Sequence, residues 1–517
     1  MPVDFELVAG GTDNDIMFVP DASVESGVTT VSATIGGKKY TAGIEFDEAY
    51  KQGYIYTYTL TLNNSGFAVT KVNVNPWETG VDDSAVLQPE KDNAYIVKIV
   101  ASYSAPGPIS LIEDGEVVYN NNTFAVQSRS GETLVFSHNM VGFVGTIDWG
   151  DGTTTTYDVA VDNPSHEYPN DGTEYIITAK GTMTGLGSPD SFSQCLKEVK
   201  YIGKDCGITS MEGAFAHCYS LQTIPEGLFD KCTEVTSFGG TFSGCNSLTK
   251  IPAGLFDNCT KVKSFEGTFR YCTALQAIPE GLFDHCTEVT SFNGTFTRCT
   301  SLQNIPEGLF DYNTKVTSFE GTFQACKSLT TIPEGLFDKC TEVMSFGGED
   351  GTTVTSWGGA HTPNGVFCQC SNLTSIPVDL FKYNTKVIDM GGAFGYCSAL
   401  QVVPENIFKY NTEVVDMSGV FGSCQALTNI PVGIFDTNTK VLYFDYALAC
   451  CYALTGESPY TVIQVDGVNT KVHLYERENY PEYFAIPTPA SNTYYNYCFL
   501  NCEYLTDYNS IPADWKW

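Results

Sequence analysis

A short block of sequence built around a proline returns at a fixed interval through more than half of this chain. Successive prolines are 27 residues apart over the first five copies, and one longer step of 44 residues leads to three more. The prolines are Pro225, Pro252, Pro279, Pro306, Pro333, Pro377, Pro404 and Pro431. Such a period predicts a solenoid, because one repeat cannot bury its apolar face alone and must stack on its neighbours. Solenoids present long open surfaces more often than closed catalytic pockets.

Each repeat reads as two strand-like pieces joined by a turn. The first piece has the form LxxIP, the second has the form xVxSFxGTF, and EGLFDxC or EGLFDxN joins them. The apolar positions recur in every repeat and are predicted to form one continuous core. In one repeat they are Leu248, Ile251, Leu255, Phe256, Val262, Phe265 and Phe269. The pattern predicts a mainly β chain that ends in a solenoid of about ten such coils.

Composition narrows the range of partners. The chain has 517 residues, in which 60 acidic residues outnumber 27 Lys and Arg, for a formal net charge of -33. Nucleic acid and anionic lipid surfaces are therefore poor partners, because both require clustered Lys and Arg. The sequence has no DxDxDG-like calcium loop and no facing CxxC pairs for zinc, so no metal or cofactor is predicted.

No stretch approaches the roughly 18 apolar residues of a membrane span, and no transmembrane segment is predicted. The first residues, MPVDFELVAGGTDND, have neither the basic region nor the apolar region of an export signal. Either a signal was removed from this version of the chain or the protein is not exported by the general route.

Most of the 19 cysteines, 14 of them, fall at two recurring positions, which predicts a stacked ladder. The FxxC position holds Cys218, Cys245, Cys272, Cys299, Cys326, Cys370, Cys397, Cys424, Cys451 and Cys502. The FDxC position holds Cys232, Cys259, Cys286 and Cys340, and its equivalents are Asn313, Asn384, Asn411 and Asn438. Exchange with asparagine favours small side chains that fill an inward turn and contact backbone amide groups over disulfide partners. Coils stacked about 4.8 Å apart would still permit a few disulfides, with adjacent Cys450 and Cys451 the oddest case.

Residues 1–88 read as a β domain. Tyr56, Tyr58 and Leu60 alternate with threonines, Asn63 to Gly66 supply a turn, and a second strand follows to Trp77. The segment YTYTLTLNNSGFAVTKVNVNPWETG resembles the closing hairpin of fimbrillin-type domains, the pilin and pilus-accessory modules of Bacteroides and its relatives. The resemblance covers roughly residues 25–80. The alternative is another β-sandwich with a Tyr/Thr-rich strand.

Residues 89–183 read as a second β-sandwich. The segments TIDWGDGTTTTY and HEYPNDGTEYIITAKG are similar to PKD-like immunoglobulin-type domains, which usually act as spacers. Asp151 and Gly152 are predicted to form a hairpin turn, with Trp149 and Tyr168 in the core. Asp148 and Asp151 could be interpreted as metal ligands, but two neighbouring carboxylates at a turn more often belong to the turn itself, and that interpretation is favoured here.

Residues 184–517 resemble the BspA-like leucine-rich repeats of bacterial surface proteins, with a C-terminal cap. The resemblance rests on the recurring LxxIP and SFxGTF segments and covers about sixty per cent of the chain. It implies adhesion to a host protein or glycan, or to another bacterial surface.

Two insertions interrupt the period. The first adds 17 residues between Phe346 and Phe367, and the second, after residue 472, is rich in tyrosine. Exposed aromatic loops suit recognition of proteins or sugars, although a cap over the open end of the core is the favoured interpretation of the second insertion. The predicted binding residues are Trp357, His361, Tyr475, Tyr480, Tyr483, Tyr494 and Tyr495.

No catalytic residue is predicted. The histidines are scattered, the common catalytic motifs are absent, and repeated acids such as Glu226 and Glu280 stack as an exposed file without a cleft. The favoured hypothesis is a non-enzymatic adhesion protein on the outer surface of a Bacteroides-like bacterium. The alternative is a structural virion protein, such as a fibre of a phage that infects these bacteria. A glycan hydrolase is third.

Overall fold

The computed structural model describes the following part of the chain: residues 3–6, 15–18, 28–35, 38–45, 54–63, 66–76, 94–100, 112–113, 116–117, 133–169, 171–187, 196–203, 207–354, 361–485 and 497–516. The chain divides into two compact units, residues 1–89 and residues 90–517. The boundary predicted after residue 88 lies beside this division. The boundary predicted after residue 183 lies inside the second unit.

The described residues of the first unit form two three-stranded sheets. Strand β3 lies between β1, to which it is parallel, and β4, to which it is antiparallel; β5 lies between β2 and β6 in an antiparallel sheet. The strands are β1 (Val3–Glu6), β2 (Asp15–Phe18), β3 (Val28–Ile35), β4 (Lys38–Glu45), β5 (Tyr54–Asn63) and β6 (Gly66–Pro76). The predicted pairing of the two strands is confirmed, because β5 and β6 are antiparallel with Asn63 opposite Gly66.

Among the described residues, the second unit begins with a five-stranded sheet in the order β13-β12-β15-β7-β17, with three short pairs, β8-β9, β10-β14 and β11-β16. Its strands are β7 (Ala94–Val100), β8 (Ile112–Glu113), β9 (Glu116–Val117), β10 (Thr133–Ser137), β11 (Met140–Val141), β12 (Phe143–Asp148), β13 (Thr154–Val161), β14 (Ser165–Pro169), β15 (Glu174–Thr182), β16 (Gly185–Leu186) and β17 (Leu196–Ile202). Strand β17 pairs with β7, so this sheet extends past residue 183. The arrangement as two β-sandwich domains stays a prediction.

The turn between β12 and β13 has the predicted chemistry. Trp149 and Tyr168 are fully buried, and the Tyr168 hydroxyl donates to the Trp149 carbonyl oxygen at 2.8 Å. Asp148 accepts from the Gly150 N–H and Asp151 from the Thr153 N–H, so both carboxylates organise the turn. The hydrogen bond from the Thr153 hydroxyl is the main cause that lowers the pKa of Asp151 to about 2.

One hydrophobic core runs from this sheet into the solenoid. At the junction, the buried His138 ring contacts the Tyr95 hydroxyl at 3.1 Å and the Ala214 carbonyl oxygen at 3.0 Å. Burial lowers the pKa of His138 to about 4, so the ring is neutral at physiological pH. The sheet therefore covers the first coil of the solenoid with a satisfied polar contact inside an apolar interface.

The core positions predicted for the solenoid are confirmed, because all seven are at most 5% exposed. Phenylalanines stack from coil to coil; for example, the Phe265 and Phe292 ring centroids are 5.8 Å apart with planes 5° apart. Such close stacking brings each ring into contact with the same ring of both neighbouring coils. The core is therefore a set of parallel aromatic files.

The strand-like pieces are reduced to single bridges in the described coils. Parallel bridges link Ser210, Ser237, Ser264, Ser291, Ser318, Ser345, Asp389, Asp416 and Tyr443 in succession. After each bridge the backbone N–H groups alternate: Phe269 donates to Thr295 of the next coil, whereas Arg270 donates back to Gly267 of its own coil. Gly267 has a φ of +60°, which produces this alternation and prevents an extended strand.

The FxxC cysteines form the predicted ladder. Each thiol from Cys245 to Cys502 donates to a backbone carbonyl oxygen of the preceding coil; Cys272 donates to Phe242 at 3.2 Å and Cys299 to Phe269 at 3.2 Å. All cysteines among the described residues are free thiols. Cys195 and Cys206 lie outside the described residues. Burial raises the pKa of Cys245 and Cys502 to about 12, so these thiols stay protonated and unreactive at neutral pH.

The second ladder explains why cysteine and asparagine exchange. The Asn411 side-chain nitrogen donates to the carbonyl oxygens of Phe381, at 3.0 Å, and Asn384, at 2.9 Å. The Cys286 thiol lies 3.7 Å and 3.6 Å from the two equivalent oxygens, those of Phe256 and Cys259. Cysteine and asparagine therefore contact the same pair of carbonyl oxygens, and the asparagine nitrogen lies closer to them than the thiol sulfur does.

Candidate ligand-binding surfaces

The first insertion is a hairpin whose base is tightly packed. Strand β18 (Glu349–Val354) pairs with β19 (His361–Pro363), with His361 opposite Val354. A Cβ at Gly365 would collide with the Gly392 carbonyl oxygen, so glycine is required there. The predicted contact residue Trp357 lies outside the described residues, as does the side chain of His361. Their roles stay predictions.

The end of the solenoid carries a hairpin, and the second insertion follows it and begins with a short helix; together they form the cap. The elements are β20 (Tyr460–Val465), β21 (Val468–His473) and the 3-10 helix Leu474–Asn479; two further 3-10 helices, Tyr508–Ser510 and Ala513–Trp515, follow near the C-terminus. Tyr475 is half-buried and stacks on His473 at 5.0 Å. Tyr480 packs on Phe484, and the Tyr483 hydroxyl donates to the Gln464 carbonyl oxygen.

These three tyrosines hold the insertion together, which supports its interpretation as a cap. The other two predicted contact residues, Tyr494 and Tyr495, lie outside the described residues. Sequence reasoning identified the aromatic content of the insertion. It did not identify the partners, because these depend on which surfaces the insertion covers.

Arg477 is the residue that ends the Cys/Asn ladder. Its guanidinium donates to the carbonyl oxygens of Phe435, at 2.9 Å, and Asn438, at 3.1 Å. These oxygens are equivalent to the pair that Asn438 itself contacts in the preceding coil, those of Phe408 and Asn411. Arg477 is only 5% exposed. It thus supplies the donors that a further coil would have supplied.

The last coil receives its missing acceptors from the C-terminus. In earlier coils the N–H after the glycine turn donates to the next coil, as Phe242 does to Thr268. In the last coil Phe499 donates to the Trp515 carbonyl oxygen at 2.8 Å and Tyr497 donates to Asp514 at 3.3 Å. The Trp515 carbonyl oxygen thus takes the place of an acceptor from a further coil; Trp517 lies outside the described residues.

One histidine of the cap is surrounded by carboxylates. His473 Nδ1 lies 3.1 Å from Glu476, and its Nε2 lies 3.2 Å from Glu457 and 3.5 Å from Asp507. Asp507 also accepts from the Ser458 N–H at 3.0 Å. This cluster fastens the hairpin of the cap to the final coil. Within the described residues, no group of three or more His, Cys, Asp or Glu side chains has the arrangement of a metal site.

A charged zipper runs along one exposed face of the solenoid. Four lysine ammonium groups each lie 2.6 Å from a glutamate carboxylate of the preceding coil. The pairs are Glu234–Lys261, Glu288–Lys315, Glu342–Lys386 and Glu413–Lys440. The alternation of TEV and TKV is visible in the sequence, but sequence reasoning missed it. These ion pairs help to align neighbouring coils, and each stabilises the fold by about 0.5 kcal/mol.

A second missed feature is the backbone of the turn before each FxxC cysteine. The residue directly before the cysteine has a positive φ in every coil, and only one of these residues is glycine. They are His217, Gly244, Tyr271, Arg298, Ala325, Gln369, Tyr396, Ser423, Cys450 and Asn501, with φ values between 56° and 77°. A left-handed conformation is costly for residues with a Cβ. Only Gly244 hinted at it in the sequence.

Comparison with known protein families agrees with two of the resemblances. Residues 204–354 match the BspA type leucine rich repeat region in six copies, and residues 2–77 match a fimbrillin-like family. Residues 363–464 match a family described as a Mycoplasma protein of unknown function. The chain thus carries BspA-type leucine-rich repeats and a fimbrillin-like N-terminal segment. The PKD-like assignment stays a prediction.

Other comparisons add little. No curated protein matches the chain. Among solved structures, it is similar to one titled "Crystal structure of TLR13-ssRNA13 complex", at 10% sequence identity and a TM-score of 0.20. The match covers 55% of this chain and 51% of that chain, so the chain spans about half the length of that protein.

Proposed function

Since the chain carries BspA-type repeats and a fimbrillin-like segment, both of which indicate a surface protein involved in binding or adhesion, we propose that it is a non-enzymatic bacterial adhesin. Its ligand is a host protein, a glycan or another bacterial surface. The observation that carries the proposal is the repeat array itself. Its outward positions vary from coil to coil, whereas its inward positions are nearly constant.

The proposal places the chain outside the cell. No helix among the described residues has the length and apolar character needed to cross a membrane. The repeated acids Glu226, Glu280, Glu307 and Glu334 are all exposed. Side chains that share one exposed environment do not provide the unlike carboxylates of a glycosidase, which supports a role in binding.

The test uses a glycan and extracellular-matrix array probed with the intact chain and with a variant that lacks residues 349–365. This deletion returns the interrupted coil to 27 residues and leaves the sequence SFGGVF, which resembles DMSGVF of a later coil. We expect the intact chain to bind at least one ligand. Loss of binding in the variant would place the contact in the hairpin, and retained binding would place it on the coils or the cap. If the folded, intact chain binds no component of the array, the adhesive function is refuted.

The second candidate is a structural virion protein. It is favoured by the free, buried cysteines, which suit assembly in a reducing compartment. Flanking capsid or tail genes would support this candidate, whereas an upstream lipoprotein signal would support the surface protein.

A further inference from the structure

One edge of the solenoid has a charge opposite to that of the chain. The edge consists of the two residues before and the two residues after each FxxC cysteine, and we call it the FxxC edge. Over nine coils, from Cys218 to Cys451, these four positions contain no Asp or Glu, although acids outnumber bases 60 to 27 in the chain. The same positions carry three cations, Arg270, Arg298 and Lys327, together with His217, whose pKa is lowered by burial so that its ring is polar and uncharged at neutral pH. Positive charge is therefore concentrated on this edge.

At its centre, two guanidinium groups contact one aromatic ring. Arg270 lies 5.2 Å and Arg298 lies 5.3 Å from the centroid of the Tyr271 ring. Arg270 and Tyr271 belong to one coil and Arg298 to the next, and the Tyr271 N–H donates to Thr297 at 2.7 Å. The ring holds two like charges close together, which favours a bound anion between or across them.

The backbone is left-handed at Tyr271 and Arg298, as it is at the same position of the other coils. Tyr271 and Arg298 have φ values of 62° and 60°, a conformation in which glycine would be less strained. Gly244 occupies the same position one coil earlier, which shows that the turn accommodates glycine. Glycine is therefore a substitution that this turn accepts, which allows the Tyr271 ring to be removed without added backbone strain.

The neighbouring groups indicate the class of anion. Ser243, Asn246, Thr273 and Thr300 lie on the same edge between the cations. The Thr273 and Thr300 hydroxyls donate to carbonyl oxygens of the preceding coil, so their oxygens remain as acceptors for hydroxyl groups of a ligand. The Tyr271 and Arg298 N–H groups are already donated to the next coil, so strand addition by an acidic peptide has no donor there. Nucleic acid would need a denser array of cations. Hydroxyl-rich polymers with spaced negative groups fit best.

We propose that the FxxC edge from His217 to Lys327 binds an anionic polysaccharide, with Arg270 and Arg298 on its carboxylate or sulfate groups and Tyr271 as a platform for a sugar ring. This proposal rests on the proposed adhesive function. Four coil steps of about 4.8 Å give the site a length of roughly 20 Å.

The test measures binding of the full chain to immobilised heparin, which is sulfated, to alginate, which is carboxylated, and to neutral dextran. We expect binding to at least one anionic polymer, a decrease with added salt, and none to dextran. The preferred polymer identifies the anionic group. The double substitution Arg270→Gln with Arg298→Gln should weaken binding at least tenfold. Lys315→Gln removes one positive charge from the zipper on another face and should leave binding unchanged.

Tyr271→Gly separates a binding role from a structural one. It relieves the left-handed conformation, so the variant should melt no lower than the parent yet bind the polymer more weakly. Binding unchanged in the double Arg variant, equal binding to dextran, or preferential capture of polyglutamate or single-stranded DNA would overturn the proposal. If the chain binds another array component through residues outside this edge, the adhesive function stands and this inference fails. If the chain binds none of the ligands tested, both the adhesive function and the polysaccharide site are refuted.

Discussion

Both inner ladders of the solenoid consist of one side chain per repeat, but they differ in which side chains they accept. The FxxC ladder holds cysteine in every coil from Cys218 to Cys502, whereas the other ladder changes between cysteine and asparagine. In the first, a thiol such as that of Cys272 reaches one carbonyl oxygen of the preceding coil at 3.2 Å. In the second, Asn411 reaches two, at 2.9 and 3.0 Å. The number of acceptors within reach decides which side chains a buried position accepts.

The largest expected effect is loss of stability in alkali. Burial raises the pKa of Cys245 and Cys286 from the ordinary 9.0 to about 12 in the folded chain. A raised folded pKa means that the contribution to stability is complete below pH 9 and is lost as the pH rises from 9 towards 12. Urea unfolding at pH 8 to 10.5 should therefore show a steep decrease above pH 9.

The asparagine positions provide the control for this experiment, because asparagine does not titrate. Replacing both Cys286 and Cys340 by Asn should make the alkaline decrease shallower. An identical pH profile in the double variant would contradict an origin in these thiols.

The next effect concerns the end of the Cys/Asn ladder. Arg477→Met removes the donors to Phe435 and Asn438 and should lower the free energy of unfolding by about 3 kcal/mol. Arg477→Lys keeps the charge but not the paired donors, and should lose less. Thermal and urea unfolding would measure both variants. A loss below about 1 kcal/mol in the Met variant would show that the ladder needs no terminal donor.

The same substitution in the two ladders tests the comparison directly. Cys272→Asn places a larger side chain where one thiol fits, and should cost about 2 kcal/mol. Cys286→Asn places the amide before two acceptors, as in Asn411, and should change stability by less than about 1 kcal/mol. Equal losses by urea unfolding at neutral pH would remove the proposed difference between the ladders.

The smallest effect belongs to the exposed zipper. Lys315→Gln breaks the pair with Glu288 and should cost about 0.5 kcal/mol at low salt. The difference should vanish at 1 M salt because surface pairs are screened. A loss that persists at high salt would mean that Lys315 contributes through packing of its aliphatic chain.

The repeat period and the core were predictable because both are carried directly by residue identity and spacing. Cysteine returns at the position of Cys272 in every coil, the position of Phe265 holds Phe or Met among the described residues, and the burial of both follows from stacking. The strand-like character of SFxGTF was overestimated, since Gly267 adopts a positive φ and turns alternate N–H groups inward.

The surface was harder to predict. Tyr475 and Tyr480 lie against partners within the cap, and only the folded chain shows which surface an insertion covers. The left-handed turns were hidden because Tyr271 or Arg298 gives no sign in the sequence of the conformation that its neighbours impose. The roles predicted for Trp357 and His361 stay predictions.

The zipper has a consequence for how this array could change its length in evolution. Because Glu and Lys alternate from coil to coil, each Lys pairs with the coil before it, as Lys261 does with Glu234. Loss of one coil would place two like charges side by side, whereas loss of two coils would restore the alternation. The unit that can be duplicated or deleted without such a conflict is therefore a pair of coils, and the gene should tolerate recombination in even steps.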